Sequence, residues 1–270
     1  MAQLRCQSAQ GKRIAPVRAS AGVEAQYYGA MVKLLRRMHR EVVAEVEAAY
    51  RPVEPVIGAD ASPLALLRKA MDAITRRWRN RFDDLAQEMA ERAVAGAQKH
   101  SQGAFMAELK RHGFTVKFKP TQLVKNMVEQ AIKENVSLIK GLSEDHLRGI
   151  NTAVNLSVMN GRDLHSLSET LQKQYGISKR RAAFIARDQN NKATATINRV
   201  RQMELGLKEA IWVHSSAGKV PRPSHVKAGR EKLRYRLDQG AYIDEKWIHP
   251  GELCNCRCVS SVIIPGFDDD

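Results

Sequence analysis

Ser178-Lys-Arg-Arg-Ala-Ala-Phe-Ile-Ala-Arg187 opens a long run with helical spacing, and Ile211-Trp212-Val213-His214 soon after it is strand-like. Phe184, Ile185, Ile197 and Val200 supply the apolar face of the run, Ser178 suits its N-cap and Gly206 its end. Ser215-Ser216-Ala217-Gly218 then reads as a turn, and Val259–Ile264 as a closing strand. This change of period near residue 206 sets the expected class. It is α+β, with a mainly helical body and a small C-terminal α+β module.

Upstream, the helical pattern repeats. Val23, Tyr27, Met31, Leu34, Leu35, Met38, Val42, Val43 and Val46 recur at three- and four-residue steps, predicting a helix over about 22–50. Arg51-Pro52 and Glu54-Pro55 break it, and Ser62-Pro63 opens a second helix that continues to about residue 100. Phe114–Pro120 is a short extended connector. A third helix follows through Ile139, a fourth runs from Ser143 to Gly161, and a fifth from Leu164 to Tyr175 stops at Gly176. The organisation expected is an arm (1–20), an N-terminal helical region (21–119), a second helical region (120–206) and the C-terminal module (207–270).

The 270 residues carry a formal net charge of +15, distributed unevenly. Residues 1–120 hold 21 Lys/Arg against 12 Asp/Glu, 121–210 hold 14 against 9, and 211–270 hold 9 against 8. Such an excess favours polyanion partners, most simply nucleic acid, and equally serves assembly against acidic protein surfaces. On the Ser178 helix, Arg180 and Arg187 share one face and Arg181, Lys192 and Arg199 a neighbouring one. These five are the candidate contacts to DNA phosphate, against the alternative of an ordinary solvated helix face. No run of 18 apolar residues predicts a membrane span, and the N-terminus lacks an apolar signal core, so the expected site of synthesis is the cytoplasm.

Three of the four cysteines fall in Cys254-Asn-Cys256-Arg-Cys258, with His225 and His249 upstream. In a regular strand, residues two apart lie about 6.5–7 Å apart on one face. That is too far for two thiolates on one Zn²⁺ at bonds of about 2.3 Å. A turn over Gly251–Cys254 would relax this limit. His225, Cys256 and Cys258 are therefore the candidate metal ligands, with His249 as a further candidate to complete the shell, and zinc is the candidate cofactor. Burial as simple thiols, or a disulfide through Cys254, stays open as an alternative. Catalysis would need His225 as base, His249 as acid and Arg222 or Lys227 on phosphate. The chain has no His-Glu-x-x-His, phosphate loop or nucleophile elbow to support that chemistry.

Together, Arg181-Ala-Ala-Phe-Ile-Ala-Arg187, Trp212, Pro223-Ser224-His225 and Asn255-Cys256-Arg257-Cys258 resemble the phage Mu F-like head morphogenesis (minor capsid) proteins, over roughly residues 120–267. Cys254 is additional to that pattern. The resemblance implies a non-enzymatic minor head protein of a tailed phage or prophage. It would act in capsid assembly and genome packaging, at the capsid interior or portal region of the virion. Its partners would be the portal protein, the major capsid protein and packaged double-stranded DNA, with no membrane involved. A DNA-binding accessory protein that stays with the genome, or a His225-centred phosphodiesterase, is the alternative.

Overall fold

A computed structural model describes residues 12–50, 63–119, 121–160, 163–216, 218 and 220–265. The elements run β1 (Lys12–Arg13), α1 (Ala21–Tyr50), α2 (Pro63–Arg111), α3 (Gln122–Met159), α4 (Leu164–Glu204), β2 (Glu209–Val213), α5 (Pro223–Arg230), β3 (Arg234–Arg236), β4 (Ala241–Ile243), β5 (Lys246–Ile248) and β6 (Val259–Ile264). The mainly helical α+β class follows directly from the patterning. Four long helices precede a small antiparallel module. The expected breaks at Arg51-Pro52 and Glu54-Pro55, the Ser62 cap, Pro120, Gly161 and the Asp268–Asp270 tail lie outside the described residues, as do residues 1–11.

Helices α3 and α4 each replace two expected helices. The break at Ser143 does not occur, because Ile139, Leu142, His146, Ile150 and Ala153 continue one buried stripe through Gly141. A glycine inside a helix costs roughly 0.5–1 kcal/mol, less than burying one large apolar side chain contributes. The stop at Gly176 fails for the same reason. Leu167, Leu171, Ser178, Ala182 and Ile185 keep the three- and four-residue step, and Gly176 is not in the left-handed region. Ser178 is consequently no cap. Its hydroxyl donates back to the Gln174 carbonyl at 3.2 Å. The end of α4 does match its signal. Gly206 has φ +76, its N–H bonds Met203 O, and Leu207 N–H bonds Gln202 O, which is a Schellman termination.

Two compact units divide the chain, each built from segments that are not consecutive in sequence. One comprises Glu24–Ala93 and Ile132–Ala186; the other comprises Met1–Val23, Val94–Ala131 and Arg187–Asp270. Helices α2, α3 and α4 each contribute to both. In the first unit, Met31, Leu35, Met38 and Val42 of α1 share a core with Trp78 and Phe82 of α2, Ile139 and Ile150 of α3, and Ala182 and Ile185 of α4. In the second, Phe105 and Leu109 of α2 join Trp212, Tyr235, Leu237, Cys256, Cys258 and Val262.

The second unit carries a four-stranded antiparallel sheet in the order β1-β6-β2-β3, and a β4-β5 hairpin. Register pairs Ala210 with Val262 and Trp212 with Ser260, so Ala210 and Trp212 point inward on β2. Part of the expected N-terminal arm belongs to this sheet. Lys12 and Arg13 pair with Ile264 and Ile263, and Ile14 is buried. The hairpin turns through Asp244 and Glu245, at φ 52 and 62, as type I′ turns require.

Candidate metal centre and its cationic cavity

Helix α5 starts at Pro223, in the first-turn position where a missing N–H costs nothing. Three residues apart on its inner face, His225 and Ala228 are buried. The helix lies close against the chain leaving β2. A Cβ on Gly229 would fall 2.4 Å from the Cβ of His214. The Trp212 indole meets the His225 ring edge to face, with centroids 5.0 Å apart at 80°. His225 is thereby fixed, and only 2% of it is exposed.

The cysteine segment approaches from the other side. Gly251 (φ +83) and Asn255 (φ 58) both occupy the left-handed region, and the Cys256 N–H closes a turn on Leu253 O. Cys256–Cys258 are thus not yet strand; β6 begins at Val259. This irregular path relieves the spacing limit on Cys-x-Cys. The sulfurs of Cys256 and Cys258 lie 3.5 and 3.7 Å from Nδ1 of His225. All three candidate ligand atoms sit within 4.8 Å of one another, and all three residues are buried. His225 Nε2 is buried with no hydrogen-bond partner among the described residues. A hydrogen bond from the Cys258 thiol holds Cys256 well below the usual thiol range, with His225 adding to the effect. The same partnership, with burial, pushes Cys258 up. Cys254 is exposed and outside the group.

A cavity of about 670 Å³ opens beside these residues, with Arg187, His214, Arg222 and Arg257 in its wall. Arg222 donates to the Cys254 carbonyl at 3.0 Å. His249 is elsewhere. The guanidinium of Arg199 lies 2.7 Å from Nε2 of His249 and 2.9 Å from its Nδ1, Nε2 is 3.1 Å from Leu237 O, and the His249 backbone N–H donates to Glu252. Burial and Arg199 both push its pKa down.

The five cations proposed for DNA divide between the two units. Arg180 and Arg181 are exposed in the first, where Arg181 pairs with Asp145. Arg187, Lys192 and Arg199 belong to the second. There Arg187 lines the cavity, Lys192 lies 3.2 Å from Asp188, and Arg199 is half-buried against His249. The polar run Asp188-Gln189-Asn190 is not a solvated face either; each residue is only 4% exposed. Asp188 accepts the Asn255 backbone N–H, and the Asn190 amide donates to Ser20 O at 2.8 Å. Sequence reasoning missed Asp188, which sits in the polar stretch Arg187–Lys192 with no local signal to set it apart.

Residues 148–261 match the family described as "Phage Mu protein F like protein". Over 272 aligned residues the chain is 24% identical to an uncharacterized protein of Haemophilus influenzae (strain ATCC 51907 / DSM 11121 / KW20 / Rd). That alignment covers 99% of this chain and 58% of the relative, so the chain spans less than two thirds of the relative's length. No solved structure matches.

Proposed function

From the membership of residues 148–261 in the phage Mu F-like family, we propose that the chain is a minor component of a tailed-phage head. It acts in capsid assembly and genome packaging, at the capsid interior or portal region. The observation that carries this reading is the family match, which spans the end of α3, all of α4 and nearly the whole C-terminal module. The formal charge of +15 supports it, since a protein beside packaged DNA or an acidic portal surface gains from cationic faces. Among the described residues no helix is long and apolar enough to cross a membrane. The partners are the portal protein, the major capsid protein and double-stranded DNA, and the protein performs no chemistry on them.

Deleting the coding sequence from the phage or prophage that carries it tests this role. The expected result is a loss of DNA-filled, infectious heads that expression in trans restores. Normal yields of filled heads without the protein would contradict it.

A further inference from the structure

We infer that Nδ1 of His225 and the sulfurs of Cys256 and Cys258 bind one zinc ion, with the fourth coordination position facing the arginine-walled cavity. This inference is independent of the head assignment.

Three observations carry it. The first is the length of the ligand edges. Tetrahedral zinc, with bonds of about 2.05 Å to nitrogen and about 2.3 Å to sulfur, places those two atoms about 3.6 Å apart. The two edges measured here are 3.5 and 3.7 Å. The second is valence. Nδ1 has one in-plane lone pair, so it accepts one S–H hydrogen bond, yet two sulfurs stand at nearly equal distance from it. One cation between the three atoms uses the lone pair and both sulfurs together. The third is burial: His225, Cys256 and Cys258 are removed from water together, with their three ligand atoms within 4.8 Å of one another.

The donor set selects the ion. Thiolates and an imidazole are soft or borderline ligands, which favour zinc over magnesium or calcium. The surroundings hold the ligands in place. Trp212 and the close Gly229–His214 approach fix α5, and Asp188 fixes the Asn255 turn. Cys254 lies outside the group of ligand atoms and does not supply the fourth ligand. Cys256 and Cys258 border the cavity together with His225, so water entering there completes the shell. The ion would join α5 to the segment leading into β6, two pieces of chain about thirty residues apart.

The test uses the full chain, purified reduced and without chelator. Elemental analysis is expected to find one zinc per chain. After stripping, cobalt(II) is expected to give thiolate-to-metal charge-transfer absorption and the intense d–d bands of a four-coordinate site. Cys256→Ser and Cys258→Ser should each weaken zinc binding by about 100-fold or more, at or beyond the upper end of the loss seen for outer-shell partners. Cys254→Ser should bind as the parent does. A chain that remains metal-free after zinc is supplied overturns the inference, as does undiminished binding in both serine variants. If those variants fail to fold, the parent's cobalt spectrum decides, and absence of the charge-transfer band overturns it.

Discussion

Asp188, buried on α4, accepts the backbone N–H of Asn255, the left-handed residue immediately before Cys256. One carboxylate thus sets the turn that presents the cysteine pair, and it faces Lys192 at 3.2 Å. A hydrogen bond to a charged group contributes about 1.5–3 kcal/mol. Asp188→Ala should therefore destabilise the C-terminal module by about 2–3 kcal/mol in denaturant unfolding. Asp188→Asn retains an acceptor and should cost about half as much. An unchanged midpoint for the alanine variant would show that the turn is held by other contacts.

Gly251 makes the same turn possible. Its φ is +83, and a Cβ there would lie 2.7 Å from the Cβ of Ala195. A left-handed conformation costs an L-residue about 1–2 kcal/mol, and overpacking adds about 1–3 kcal/mol. Gly251→Ala should lower stability by at least about 2 kcal/mol by thermal or denaturant melting. Gly103, which has open space around its Cβ position, is the control, and Gly103→Ala should be neutral or stabilising.

The other unit buries a histidine pair. His39 stacks on Tyr175 at 4.7 Å and meets His146 edge to face at 5.6 Å; His146 Nδ1 bonds the Ser178 hydroxyl at 2.9 Å. Arg36 bonds the Tyr175 hydroxyl, and Lys179 lies over the Tyr175 ring. Burial, then the charge of His39, pushes His146 down to about 4, and burial lowers His39. A folded-state pKa below the unfolded value means that the unfolded chain binds more protons below about 6.5. The contribution is complete above that pH and is lost as pH falls toward 4. It should amount to about 3 kcal/mol for His146. His39→Phe should reduce the acid sensitivity measured by denaturant melts between pH 7 and 4. Equal acid sensitivity in parent and variant would remove His39 from the account.

Weak, sequence-independent duplex binding that falls steeply with salt is expected from the cationic surface. Each phosphate contact contributes about 0.9 to the slope of log K against log salt. Reversing exposed Arg180 and Arg181 to Glu should flatten that slope by about two if both touch phosphate. Arg199→Lys, half-buried against His249, should leave it unchanged. Fluorescence anisotropy across salt concentrations measures both. A slope indifferent to Arg180 and Arg181 would move the contact to another face.

Some of this architecture could be read locally and some could not. The bounds of α1, the strands near 211–214 and 259–264, and the close of α4 at Gly206 follow from apolar period and end signals. The trio His225, Cys256 and Cys258 follows from residue chemistry. The breaks read at Ser143 and Gly176 were local signals overruled by a core that runs past them. Asp188, Gln189 and Asn190 look like a wet surface, because polarity alone does not show which buried backbone groups wait for a partner. Lys12 and Arg13 reach β6 some 250 residues away, a pairing that no short window contains.

The most direct measurement for the central claim is quantitative mass spectrometry of purified DNA-filled heads and of procapsids from the phage that encodes this chain. The account predicts the protein in both, at a copy number far below that of the major capsid protein. Its complete absence from procapsids and filled heads alike would contradict the account.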